Sequence, residues 1–98
     1  MRVFSLKEIK EIVEPIARRY GVQAVYLFGS YARGTATEES DIDFLVFGGD
    51  GFKRSLVYAM GEDLREAFQK DIDIFEVHEV NENSDFYRLV MEERKRVA

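Results

Sequence analysis

Cysteine is absent from the 98-residue chain, which excludes disulfides and any thiolate metal site. Histidine occurs once, as His78. With no ligand-type neighbour at helical spacing it reads as a surface residue at a strand end, a contact to a base or phosphate being the lesser alternative. Long apolar runs are missing too: none approaches the 18 residues of a membrane span, and Arg2 and Lys7 are not followed by a signal-peptide core. A cytoplasmic protein with no membrane partner is therefore expected. Basic charge is scarce, with 14 Lys and Arg against 19 Asp and Glu, a net charge of −5. Binding a polyanion relies on a basic surface that displaces counterions, so this balance argues against nucleic acid as partner. What remains is ordinary for a globular protein, 46% hydrophobic and 34% charged. Residues 1–98 are read as a single domain, large enough to bury roughly 60–65% of its chain surface.

The most informative stretch runs from Phe28 to Val46, FGSYARGTATEESDIDFLV. Val22 to Phe28 is a short apolar run rich in strand formers and predicts a buried strand. Gly29-Ser30 ends it, and Ser30 to Arg33 can open a helix with Ser30 near its N-cap. A glycine at that point lets a ligand approach the backbone, and the free N–H groups of a helix start favour phosphate. Ser30 would add a hydroxyl donor and Arg33 a permanent cation. Further on, Asp41 and Asp43 are separated by Ile42 in an apolar-rich strand, so both point to one face. Two neighbouring carboxylates repel each other unless a cation lies between them, and Mg²⁺ accepts a few carboxylates while leaving room for water and phosphate. Gly29 and Asp41 lie 12 positions apart, which favours antiparallel neighbours and one cleft for metal and phosphate.

Taken singly, a Gly-Ser pair after a strand is a turn, and Asp-x-Asp is surface or capping chemistry. The whole string GSYARGTATEESDIDFLV resembles the signature of nucleotidyltransferases of the DNA polymerase β type. The Ala-Arg-Gly after the turn and Ser40 before the first aspartate are similar to the minimal nucleotidyltransferases, prokaryotic proteins often paired as antitoxins with HEPN-domain proteins. The resemblance implies an ATP substrate on two Mg²⁺ ions and AMP transfer to a tyrosine of a HEPN toxin. Asp41 and Asp43 would hold both ions, and Gly29 and Ser30 the β- and γ-phosphates. Arg33 would be a phosphate contact or a brace for the loop, and Ser40 either a phosphate contact or a support for the Asp41 backbone.

The resemblance also implies a third catalytic carboxylate in the segment Asp71 to Val77 (DIDIFEV), which predicts a strand lying parallel to Asp41–Phe47. Asp71 and Asp73 face the same way. Asp73 is preferred, because it lies between Ile72 and Ile74, where an unpaired charge most needs a reason. Asp71, after Lys70, has a simpler reading as strand-start punctuation.

The remaining chain predicts cover for this core. Ser5 to Tyr20 has a capping-box start and an apolar stripe, with Pro15 expected to kink or split it and Gly21 to stop it. Gly48 to Gly51 is a turn, and Phe52 to Lys70 the longest helix, in which Gly61 suggests close packing. A last helix is expected from Asp85 to Val97, capped by Asn83 or Ser84. Phe86, Leu89, Val90 and Val97 would pack inward, with Tyr87 and Met91 to one side as a candidate partner surface.

The expected architecture is an α/β domain with a short mixed sheet of about three strands flanked by helices. The expected activity is magnesium-dependent transfer of AMP from ATP to a protein hydroxyl. Three other functions share this sequence pattern: an antitoxin that neutralises its partner by binding alone, a small-molecule adenylyltransferase, and a nucleotide sensor without turnover. The full aspartate set argues against the first, and the lack of chain for a second substrate domain against the second.

Overall fold

A computed structural model describes residues 2–98. The elements follow in the order α1 (Leu6–Tyr20), β1 (Ala24–Phe28), α2 (Gly29–Arg33), β2 (Ile42–Phe47), α3 (Leu56–Phe68), β3 (Ile72–Glu76), α4 (Asp85–Glu93) and β4 (Lys95–Arg96). The four strands form one mixed sheet in the order β3-β2-β1-β4. β1 runs antiparallel to both β2 and β4, and β2 runs parallel to β3. The connection through α3 explains that parallel pair, since a strand–helix–strand crossover returns the chain in the same direction.

Period-two alternation decides which face each side chain meets. Val25 and Leu27 of β1, Ile42, Phe44 and Val46 of β2, and Ile72 of β3 join Ile9, Val13, Val57, Met60 and Leu64 in the main core. That face is therefore covered by α1 and α3. The opposite face carries Tyr26 and Phe28, Leu45 and Phe47, and Phe75, which pack with Val90 and Met91 of α4. Asp43 and Asp73 alternate onto this second face, at one end of the sheet.

Several local expectations are met. Ser5 and Glu8 form the capping box of α1, and Gly21 ends that helix in the left-handed conformation. Gly61 packs so closely that a Cβ there would meet the Ile74 side chain at 2.9 Å. Others are corrected. Pro15 leaves α1 an unbroken 15-residue helix; it stands on the solvent side, where water can satisfy the carbonyl that loses its N–H partner. α2 begins at Gly29 rather than after it, with the extended Phe28 at the cap position, so Ser30 is not the cap. The last helix stops at Glu93, and Lys95–Arg96 adds a fourth strand on the free edge of β1. Within α4, Phe86 and Leu89 are 44% and 52% exposed, whereas Met91 packs against the sheet. The helix is thus rotated relative to the expected stripe, and its exposed apolar surface is Phe86 and Leu89.

Candidate active site

The site lies where the end of β1 meets the beginnings of β2 and β3. Asp43 is the ladder neighbour of Phe28 on one side and of Asp73 on the other. Adjacent strands lie roughly 4.8 Å apart, which sets the two carboxylates side by side. Gly29 follows Phe28 with φ of 73° and is buried. A Cβ at Gly29 would fall on the Asp43 carboxylate oxygen Oδ2. The glycine is thus required twice, by its left-handed backbone and by the carboxylate packed against its Cα.

Electrostatics single out Asp43. Burial, then the hydrogen bond and charge of Asp73, then repulsion from Asp41, push its pKa from the ordinary 3.8 up to about 7, against an opposing pull from Arg33. Two close carboxylates with too little positive charge retain a proton. Among the described residues, no three His, Cys, Asp or Glu side chains already form a group that could hold a metal ion.

The residues proposed from sequence divide between two depressions, except Ser30, which lines neither. Gly29, Arg33, Asp43 and Asp73 line one cavity of 330 Å³, together with Phe28, Phe75, Phe86, Leu89, Val90 and Glu93. Asp41 is exposed just before β2 and opens onto a neighbouring cleft of 510 Å³ with Ser40, Arg65, Lys70 and Asp71. Asp73 is therefore the carboxylate beside Asp43, while Asp71 lies with Asp41. Ser40 is engaged locally. Its Oγ accepts from the Thr37 N–H at 2.9 Å, and its own N–H donates to the Thr37 carbonyl at 3.1 Å. It braces the loop that delivers Asp41. Ser30 is half-buried in the first turn of α2, and its carbonyl accepts from the Gly34 and Thr35 N–H groups that close this short helix.

Sequence reasoning missed two carboxylates. Glu93, the last residue of α4, accepts from the Gly29 N–H at 2.8 Å and from Arg33 Nη1 at 3.0 Å. It lies in the charged run EERKR, where no local pattern sets it apart from its neighbours. Glu76 is 1% exposed at the far end of β3. It accepts from the N–H groups of Gly48 and His78 and faces His78 Nδ1 at 2.9 Å. Burial opposes its ionisation, but the His78 and Gly48 hydrogen bonds outweigh that and hold its pKa below the usual carboxylate value. His78 is thus an exposed residue with a structural partner. An acidic residue on the inward side of a strand pattern was the available signal.

Comparison with known proteins bears on the family and the fold. A family model described as a nucleotidyltransferase domain matches residues 6–97. A Methanocaldococcus jannaschii protein provisionally named a protein adenylyltransferase is 34% identical over 77 residues, 79% of this chain and 83% of its own length. Further curated relatives are matched over about half of their length. A crystal structure of a toxin–antitoxin with AMP-PNP superposes with a TM-score of 0.77 at 24% identity, covering 91% of this chain and 72% of its own. A tri-AMPylated Shewanella oneidensis HEPN toxin in complex with an MNT antitoxin gives 0.72 at 20% identity, covering 95% and 71%. At those identities the two structures establish likeness of fold.

Proposed function

The chain belongs to the nucleotidyltransferase domain family, and from that premise we propose that it is a magnesium-dependent protein adenylyltransferase. It would transfer AMP from ATP to a tyrosine hydroxyl of a HEPN-type toxin and so silence it. The observation that carries this reading is the packing of Asp43 between Asp73 and the Cβ-free face of Gly29. Gly29, the first residue of the proposed phosphate-binding turn, lines one cavity with this carboxylate pair.

A divalent cation would suit this donor set, because Asp43 and Asp73 stand side by side across the β2–β3 ladder, where burial and mutual repulsion hold Asp43 above the ordinary carboxylate range. Asp43 and Asp73 would form the centre of the metal site, with Asp41 joining from the strand mouth and a two-ion arrangement expected. When bound, magnesium would neutralise charge gathering on the phosphate oxygens. The chain's own groups do the rest. Gly29 N–H, Ser30 and Arg33 bind the β- and γ-phosphates, and Ser40 keeps the Asp41 loop in place. The acceptor oxygen forms a bond to the α-phosphorus as the bond to the β-phosphate bridging oxygen breaks, releasing pyrophosphate. The hydroxyl proton passes to Asp73.

Incubation with ATP labelled at the α-phosphate, Mg²⁺ and a HEPN-type partner tests the reading. Label should appear on a partner tyrosine, whereas label at the γ-phosphate should leave as pyrophosphate. Absence of the α-label from the partner would refute transfer of AMP.

A further inference from the structure

The last carboxylate of α4 already occupies the place that the proposed reaction assigns to phosphate. Glu93 Oε1 accepts from the Gly29 N–H at 2.8 Å and Oε2 from Arg33 Nη1 at 3.0 Å, and the Glu93 side chain is only 12% exposed. Both donors are ones the triphosphate needs, and a carboxylate satisfies them as a phosphate oxygen does, with the same sign of charge.

We propose that Glu93 is a built-in rival of the triphosphate and determines which anions enter the phosphate cradle. This rests on the nucleotide reading of the site and adds a specificity residue to it. Because the rival is tethered, it competes at an effective concentration in the millimolar range. A monoanion offers no more than Glu93 does and cannot displace it at lower concentrations. A polyphosphate replaces both hydrogen bonds and adds further charge, so it displaces Glu93. The helix supports such an exchange. Val90 anchors α4 in the core beside Phe28 and Leu45, while Glu93 is its terminal residue. Releasing the carboxylate needs only a side-chain rotation in the last turn. α4 stays docked, and Phe86 and Leu89 continue to line the same cavity.

Occupation of the cradle lowers apparent ligand affinity by the fraction of molecules in which it is open. Calorimetric titration of wild type, Glu93→Gln and Glu93→Ala with Mg²⁺–ATP and with inorganic tripolyphosphate measures this directly. Both variants should bind both ligands more tightly, by roughly two- to fivefold, the range for an ion pair with one half-exposed partner. Glu93→Gln keeps the side-chain shape, so it reports even if the alanine variant loosens the helix end. Unchanged or weaker binding of both ligands in the glutamine variant would make Glu93 a brace for Gly29 and Arg33 and overturn the proposal. If no protein in the series binds ATP, the nucleotide reading itself fails and the rivalry with it.

Discussion

Asp43 is the residue on which the site turns, and its proton gives a signed pH effect. Its folded-state pKa of about 7 lies above the ordinary 3.8. The folded protein therefore holds a proton that the unfolded chain has released, and the resulting stability, fully present below about pH 4, is lost as pH rises through 7. Asp43→Asn imitates the protonated side chain. In chelator, wild type should melt below the variant at about pH 8.5 and approach it by about pH 5.5. A gap that stays constant across that range would show that Asp43 is ionised throughout. Gly29 gives a second prediction. Gly29→Ala adds a methyl onto the Asp43 carboxylate and forces an alanine into a left-handed φ. It should lower stability by about 2 kcal/mol or more in denaturant titration and reduce any thermal stabilisation by Mg²⁺. A loss near zero would mean that the carboxylate moves aside freely. Asp43 and Asp73 were legible in the sequence because strand alternation puts charges on a predictable face. Their exact pairing was not, since ladder register depends on how the Phe47-to-Ile72 connection returns the chain.

Elements with strong local signals were read well, and those that depend on tertiary contact were not. The capping box of α1, the Ser84 cap of α4 and the β2–β3 parallel pair all follow from local pattern or connection rules. β4 has only two residues, too few for any periodicity. Its pairing with β1 stops α4 four residues before the expected end and brings Glu93 to Gly29. Phe86 turns outward for a related reason. It rests edge-on against Phe28 and Phe75, with ring centroids 5.8 and 6.0 Å away, on the rim of the cavity instead of inside the core. Glu76 fastens the other end of β3 to the Gly48 turn. Glu76→Ala strands the N–H groups of Gly48 and His78 and should cost about 2–3 kcal/mol of stability by chemical denaturation. Nucleotide affinity of the folded fraction should be unchanged, because the site lies at the opposite end of the strand. Loss of ATP binding in that variant, measured where it is still folded, would show coupling between the two ends.

Across the whole molecule, acidity and site placement suit the proposed protein acceptor better than a nucleic-acid one. The net charge of −5 leaves little surface for a nucleic acid, and no helix among the described residues is long and apolar enough to cross a membrane. Exposed Phe86 and Leu89 stand at the rim of the cavity that holds Asp43 and Asp73. The proposed function requires that this small domain act on its partner by turnover, with Asp43 indispensable. The direct test mixes one part of the protein with about twenty parts of a HEPN-type toxin, ATP and Mg²⁺, and follows the intact mass and activity of the toxin. Turnover predicts that the whole toxin pool gains AMP and falls silent with wild type, and that Asp43→Asn leaves its mass unchanged while still binding it. Silencing that saturates at equal amounts, with unmodified toxin and no difference between wild type and Asp43→Asn, would show neutralisation by binding and rule out turnover.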